Sequence, residues 1–352
     1  MSLNSIAFLK GLLSAPGPSG DETAASRVWR AEANKIADEV HVDISGSSIA
    51  ILQGDQPRVL LAGHIDEIGF MISYIHEDGF LSFLPIGDWD SQVLVGQRVR
   101  LIGIQADVYG IIGKKDTVFM DDEEKKQVTE IKKLWIDIGV TSRAQAAEYI
   151  RVGTVGVLDV PILELPNNRI VSRGIDNRIG AFAILEVLRQ LSRNRPKATV
   201  AAVATTQEEI TSYGAKTITF RFKPNVALVI DMAYATDPPE SNKNEYGEVT
   251  LGGGPVLSRG AANNPIMYDQ LIALAERESI PYCLQMMPEY TATDADTVHL
   301  IREGVATVVI SIPSRYMHTP NEMVDLSDIE KTVQLIVAFI HSLTPESNFV
   351  PR

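Results

Sequence analysis

Five segments that lie far apart in the sequence carry acidic or imidazole side chains beside predicted strands and helices. The residues are His64, Asp66, Asp176, Glu208, Glu209, Asp231 and His318. Two imidazoles and several carboxylates, without thiolates, are a ligand set that suits zinc, cobalt or manganese. Carboxylates packed together repel one another and take up protons unless a cation neutralises them. The residue types therefore indicate a metal site, and a carboxylate in such a site can bridge two ions that hold and activate one water.

Predicted strands explain how these remote segments can meet. Four apolar runs predict strands buried in a sheet, and each is followed closely by candidate residues. The runs are 58–63, 198–204, 226–230 and 305–312. Asp176 precedes an amphipathic helix predicted at 179–192. Ligands of open α/β sheets bind beyond the carboxyl ends of the strands, so we expect the candidate side chains around one crevice.

Each candidate residue also has an ordinary structural interpretation when it is considered alone. His64 would be a core histidine, and Asp176 would cap the predicted helix. The adjacent pair Glu208-Glu209 would be a solvated turn. The joint occurrence of these residues at strand ends is what favours a site. The other four histidines lack that setting and are predicted to be surface or core residues; they are His41, His76, His299 and His341.

The predicted elements divide the chain into an interrupted α/β domain and an inserted β-rich domain. Residues 1–71 and 166–352 alternate helices and strands, which favours an open sheet flanked by helices. Residues 72–165 hold short β-type runs instead. The charged stretch 121–133 within them is predicted to be a solvated loop or helix face.

Composition excludes several classes of function. The chain has 352 residues and a net charge of −13, which argues against a nucleic-acid partner and against an anionic membrane surface. The single cysteine cannot form an internal disulfide and excludes a cysteine-rich zinc module. No apolar run reaches the roughly 18–20 residues that span a bilayer. The N-terminus lacks the features of a secretory signal, so we expect a cytoplasmic protein.

Six segments, in order along the chain, resemble the TET-type dinuclear metallo-aminopeptidases, a family that sometimes carries an endoglucanase label. The segments are 62–70, 134–156, 174–188, 205–217, 226–239 and 291–324. The resemblance implies a zinc-exopeptidase-like fold with a mixed open sheet and a PDZ-like insertion that mediates dimerisation. It also implies a homo-oligomer in which dimers assemble into a tetrahedral dodecamer, and short peptides as substrates.

The resemblance further implies a role for each candidate residue. One metal ion would be held by His64, Asp176 and Asp231. The other would be held by Asp176, Glu209 and His318, with Asp176 bridging the two. Glu208 would be the general base, and Asp66 would orient the ring of His64. The implied cofactors are two divalent ions per chain, zinc or cobalt, and the implied reaction removes N-terminal residues from short peptides.

Alternative functions stay open at this point. A deacetylase or amidohydrolase of the same fold would use a similar metal site. A glycosidase needs two carboxyl groups on either side of a glycosidic bond, and the neighbours Glu208 and Glu209 are poorly placed for that. A non-catalytic metal-binding assembly protein is a further class, and the extra acid Glu208 argues against it. The sequence departs from the family pattern after Glu209 and after Asp231, which bears on substrate preference more than on the ligand set.

Overall fold

The structure is a computed structural model, and it describes residues 2–351. Its helices are α1 Leu3–Ser14, α2 Thr23–Ala33, α3 Arg143–Ala146, α4 Ile175–Arg193, α5 Glu208–Thr211, α6 Tyr213–Phe222, α7 Lys243–Tyr246, α8 Pro265–Arg277, α9 Ala295–Val298 and α10 Leu326–Ser342. Among the described residues, none of the helices combines the length and the apolar character needed to cross a membrane.

The strands, in chain order, are β1 Glu39–Val42, β2 Ser48–Leu52, β3 Asp55–His64, β4 Gly69–Ile75, β5 Leu81–Ile86, β6 Arg98–Leu101, β7 Val108–Gly113, β8 Trp135–Asp137, β9 Val155–Leu158, β10 Leu163–Leu165, β11 Arg169–Ser172, β12 Ala198–Thr205, β13 Val226–Tyr234, β14 Val256–Gly260, β15 Cys283–Met287, β16 Ala306–Ser314 and β17 Glu322–Asp325.

Eight strands form a mixed open sheet in the order β1-β2-β12-β3-β13-β16-β14-β15. Its four central strands, β12, β3, β13 and β16, run parallel to one another. Every residue of β12 is buried, and nearly every residue of β13 and β16 is buried too. This burial on both faces explains why the central strands are continuous apolar runs in the sequence.

Helices cover both faces of this sheet. The larger core lies between one face and the helices α1, α2, α4, α8 and α10. A smaller core lies between the other face and the helices α6 and α9. The fold is therefore the α/β arrangement with a mixed open sheet that the sequence predicts.

Six strands form a separate closed antiparallel barrel, in the order β4-β5-β8-β7-β6-β9. The barrel begins at Gly69, follows β3 almost directly, and ends at Leu158. It has its own apolar core, which includes Phe70, Ile72 and Ile136. The prediction of an inserted small β-rich domain is confirmed, while its predicted boundaries at 72 and 165 stay a prediction.

A small antiparallel sheet, β10-β11-β17, lies at the edge of the site region. In its register Ser172 pairs with Glu322, and Arg169 pairs with Asp325. Because β11 leads directly into α4, this pairing brings the loop after β16 close to the first turn of α4.

Some elements differ from the sequence prediction. The segment 294–303, whose residues also favour a helix, forms only the short helix α9 and then turns through Arg302 and Gly304, whose φ angles are 59° and 97°. The strands β14, β15 and β17 and helix α6 were not predicted. The charged stretch 121–133 is largely exposed and holds short 3-10 turns, as expected for a solvated loop.

Candidate metal centre

All seven predicted site residues lie together at the carboxyl edge of the parallel strands. His64 is the last residue of β3 and is level with Thr205 at the end of β12. The strands β3 and β13 pair up to Ala62 and Val229 and then separate. Asp231 lies two residues beyond that last pair, and its Oδ1 is 3.9 Å from Nε2 of His64. The crevice expected from the strand pattern opens at this point of separation.

A first group of donor atoms comes from His64, Asp176 and Asp231, and these atoms all lie within 4.8 Å of one another. Nε2 of His64 is 3.2 Å from Oδ1 of Asp176. Donor atoms that bind one tetrahedral ion at about 2.0–2.2 Å lie roughly 3.3–3.6 Å apart. The three buried side chains therefore lie close to the spacing that a single divalent ion requires, with the donor atoms of His64 and Asp231 slightly farther apart at 3.9 Å.

A second group comes from Asp176, Glu209 and His318, whose donor atoms also lie within 4.8 Å of one another. Nε2 of His318 is 3.5 Å from Oδ2 of Asp176 and 3.4 Å from Oε2 of Glu209. Asp176 thus presents Oδ1 to the first group and Oδ2 to the second. This is the orientation that a carboxylate needs to bridge two ions.

Local backbone structure places these side chains. Asp176 lies two residues after Gly174, which has a left-handed φ of 61°, and its backbone is not helical although it lies in the first turn of α4. Glu208 and Glu209 form the first turn of α5, which follows Gln207, another residue with a positive φ of 60°. Sharp turns after the strand ends therefore direct the acids into the crevice.

Asp66 connects two parts of the centre. Its Oδ1 lies 3.4 Å from Nδ1 of His64, and its backbone oxygen lies 3.2 Å from the same nitrogen. The two carboxylate oxygens accept hydrogen bonds from the backbone amides of Glu208 and Glu209 at 3.2 and 3.1 Å. Asp66 is completely buried, so it fixes both the histidine ring and the turn that carries the acid pair.

The acids of the candidate centre lie close together, and within residues 2–351 no lysine or arginine forms an ion pair with them. Burial raises the pKa of Glu208, Glu209 and Asp231 well above the ordinary carboxyl value, and neighbouring carboxylates raise it further. Burial opposes ionisation of Asp176 as well, but hydrogen bonds from His318 and His64 lower its pKa.

Within residues 2–351, these acids form ion pairs only with histidines. A buried oxygen of Glu209, Oε1, has no hydrogen-bond partner. The donor set therefore fits a divalent cation.

Two buried acids near the centre were not identified from the sequence. Glu322 accepts hydrogen bonds from the backbone amides of Asp176 and His318. Asp294 accepts a hydrogen bond from Oγ1 of Thr205, the residue level with His64. Glu322 lies in a short polar-flanked strand that carries no sequence signal of a site. Its contact with Asp176 spans 146 residues, which no local pattern reveals.

The model of the M42 glutamyl aminopeptidase family matches residues 46–335, a range that contains all seven site residues. The chain belongs to the M42 aminopeptidase family. It is 34% identical over 350 residues to a lysyl aminopeptidase of Pyrococcus furiosus, and the match covers 98% of this chain and 99% of that protein. The protein is therefore an aminopeptidase, a hydrolase that acts on peptide bonds.

Solved structures of M42 relatives have the same fold. A TET aminopeptidase from the marine sediment archaeon Thaumarchaeota archaeon SCGC AB-539-E09 superposes with a TM-score of 0.93 at 36% identity, covering 97% of this chain and 96% of that one. The TET1 peptidase of Pyrococcus horikoshii superposes with a TM-score of 0.86 at 28% identity, covering 96% of this chain and all of that one. These matches confirm the resemblance to TET-type aminopeptidases.

Proposed function

We propose that the protein is a metal-dependent aminopeptidase that uses two divalent ions to remove N-terminal residues from short peptides. The observation that carries the proposal is the pair of donor groups that share Asp176, with one further acid, Glu208, beside them. One ion would be held by His64, Asp176 and Asp231, and the other by Asp176, Glu209 and His318. Zinc and cobalt suit this mixture of imidazole and carboxylate ligands.

Two such ions, when bound, lower the pKa of a water and polarise the scissile carbonyl. Glu208 belongs to neither donor group, and its Oε2 lies 3.8 Å from Nε2 of His64. Burial raises its pKa, which suits a group that both accepts and donates a proton. Glu208 receives a proton from the attacking water and delivers it to the leaving amine.

Asp66 acts through its neighbours rather than on the substrate. By accepting from the amides of Glu208 and Glu209, it holds the base and one ligand in a fixed turn. By contacting Nδ1 of His64, it leaves Nε2 available as the ligand atom.

A free α-amino group is the part of the substrate that this centre recognises. The α-amino group binds near one of the two ions and the neighbouring acids, and an internal peptide segment is disfavoured because it has no such group. The side-chain preference is a separate question, because the Pyrococcus furiosus relative is a lysyl aminopeptidase whereas the family is described as glutamyl.

The inserted barrel is proposed to mediate dimerisation, and dimers are proposed to build a tetrahedral dodecamer. Support comes from the TET1 peptidase, which assembles into a tetrahedron or a large octahedral shell. The barrel also exposes large apolar side chains, which are Met71, Tyr74, Leu84, Tyr109 and Ile111. Light scattering after gel filtration tests this: a mass of one chain would contradict it. The cytoplasmic location stays a prediction.

Hydrolysis of a panel of aminoacyl-p-nitroanilides and short peptides tests the activity. The panel contains basic, acidic and neutral N-terminal residues, each with an N-acetylated control, and is run with zinc or cobalt and then with a chelator. We expect chelator-sensitive release from free N-termini only. Release from N-acetylated amides instead would favour the deacetylase or amidohydrolase alternative. Neither this alternative nor a glycosidase gains support from the relatives named above.

A further inference from the structure

Glu322 is a buried acid whose side chain is used entirely for two backbone contacts. It begins β17, is 2% exposed, and within residues 2–351 forms no ion pair. Its Oε2 accepts from the backbone amide of Asp176 at 3.1 Å. Its Oε1 accepts from the backbone amide of His318 at 2.9 Å. One carboxylate therefore joins two residues that are 142 positions apart, since 318 − 176 = 142.

Both joined residues are donors of the second group, and they come from separate elements. Asp176 lies in the first turn of α4, while His318 lies in the loop between β16 and β17. His318 has a left-handed φ of 59°, a conformation that is unfavourable for a residue with a side chain and needs support from its surroundings. In this conformation the backbone amide of His318 points at Glu322, so the hydrogen bond between them stabilises the left-handed backbone of His318.

The small sheet explains how Glu322 reaches both amides. Ser172 of β11 pairs with Glu322, and the chain passes from Ser172 into the first turn of α4. On the other side, Arg315 and Met323 form an isolated β-bridge that closes the loop carrying His318. Glu322 therefore lies between the strand that delivers Asp176 and the loop that delivers His318.

We propose that Glu322 is a positioning residue that sets the separation of Asp176 and His318 and so determines the affinity of the metal site they share. The inference rests on the proposed two-metal centre. Glu322 contacts the backbone of two of the three ligands in the Asp176–Glu209–His318 group, but of only one in the His64–Asp176–Asp231 group. Loss of the Glu322 carboxylate should therefore weaken metal binding by the Asp176–Glu209–His318 group more than metal binding by the His64–Asp176–Asp231 group.

A glutamine at 322 is the sharpest test, because it keeps the size of the side chain. An amide has one acceptor oxygen, and its NH₂ group would oppose an N–H donor, so Glu322→Gln loses one of the two hydrogen bonds. Glu322→Asp is the second variant. It keeps the charge but is one methylene shorter and cannot span both amides in the same position.

Asp328 offers a matched control. It is a completely buried acid whose two oxygens accept from the backbone amides of Gly252 and Gly254 at 2.7 and 2.8 Å. It belongs to neither donor group. Asp328→Asn therefore disturbs a buried carboxylate with two backbone amides in the same way, away from the proposed metals.

The experiment strips the wild type and the three variants of metal and titrates each full-length protein with zinc by calorimetry. Circular dichroism of the same samples reports folding. We expect two ions for the wild type and for Asp328→Asn, with affinities within about twofold. For Glu322→Gln and Glu322→Asp we expect one ion to bind about 10- to 100-fold more weakly, the size of effect seen when a residue supporting a metal ligand is lost.

Two results would overturn the inference, and they are distinguishable. If the wild type binds two ions and both Glu322 variants bind them as tightly as Asp328→Asn does, Glu322 has no positioning role while the proposed function stands. If the wild type itself binds no zinc, the two-metal proposal fails and the role of Glu322 fails with it.

Discussion

Two buried polar regions lie side by side in this molecule, and they differ in how the charge of their carboxylates is neutralised. The first, the Glu67 cluster, consists of Glu67, Arg173 and Arg178. Oε1 of Glu67 lies 2.7 Å from Arg178, and Oε2 contacts Arg173. Arg178 is completely buried and also donates to the backbone oxygen of Leu12 at 3.0 Å. In this cluster the protein supplies its own positive charge.

The second region is the candidate metal centre, whose residue Asp66 is next to Glu67 in the chain. Within the described part of the chain, no lysine or arginine forms an ion pair with the acids of this centre. Burying carboxylates without a partner is costly unless a cation compensates them. In these two regions, the single structural acid Glu67 is paired with arginines, whereas the crowded acids of the candidate metal centre pair only with histidines, which is the arrangement expected of a site that takes up a cation.

The largest effect that we expect of a substitution in the candidate metal centre is on the rate of peptide hydrolysis. Glu208→Gln removes the proposed base but none of the donor atoms in either group. We expect kcat to fall by about 10²–10⁴-fold, the usual contribution of a general base, while zinc stoichiometry stays unchanged. Steady-state kinetics and metal analysis of one preparation measure both. Near-wild-type turnover would show that Glu208 is not the base.

Removal of the shared ligand should affect both ions. Asp176→Asn leaves one good donor oxygen where two are used, Oδ1 toward His64 and Oδ2 toward His318. The loss of affinity should exceed the 10- to 100-fold that supporting residues contribute. Competition with a chromogenic chelator measures it. Unchanged binding of two ions would contradict the bridging role.

The Glu67 cluster should respond in stability and not in metal binding. Arg178→Met leaves Glu67 short of one charge partner in a buried position, and breaking such a pair costs about 3–5 kcal/mol in the free energy of unfolding. Urea denaturation measures this cost. Folded protein should still bind two zinc ions. A large loss of zinc binding with little loss of stability would show that the Glu67 cluster does not have a purely structural role.

Asp66 stands between the two regions and should show an intermediate effect. Asp66→Asn keeps an oxygen for one backbone amide but loses the second acceptor and the charge next to His64. We expect zinc affinity or kcat/KM to fall about 10- to 100-fold. An effect as small as that of a surface substitution would show that Asp66 does not orient the centre.

The smallest effect is a dependence of stability on pH in metal-free protein. The folded state raises the pKa of Glu208, Glu209 and Asp231, mainly through burial. A raised pKa means that the folded state binds the proton more tightly, so the stabilisation is complete below the ordinary values of 4.5 and 3.8 and is lost as pH rises.

Thermal unfolding of chelator-treated protein between pH 5 and pH 8 checks this direction. We expect Tm to fall as pH rises, and the gain in Tm on adding zinc to grow, because zinc binds the deprotonated ligands. A Tm of metal-free protein that rises with pH through this range would mean that the acids are compensated by the chain itself.

Much of the centre could be predicted from the sequence because it depends on local patterns. Buried central strands are continuous apolar runs, and the proposed ligands His64 and Asp231 lie at or just beyond the ends of such runs. The resemblance then supplied a role for each residue. The edge strands could not be predicted, since β15 alternates buried and exposed residues over only five positions.

Glu322 and Asp294 were also beyond the sequence prediction, for a different reason. Their partners are main-chain amides or a hydroxyl supplied by another element, and any residue type can provide an amide. Only the approach of β11, β17 and the loop after β16 brings these atoms together. Such contacts follow from the tertiary structure and leave no periodic pattern in the chain.

The most direct test of the central claim is a titration of metal-free protein with zinc, in which bound ions per chain and hydrolysis of a good aminoacyl-p-nitroanilide are measured on the same samples. We expect hydrolysis to be absent without metal and to reach its maximum as the second ion binds. Full activity in protein shown to contain no metal, or a maximum at one ion per chain, would contradict the two-metal centre.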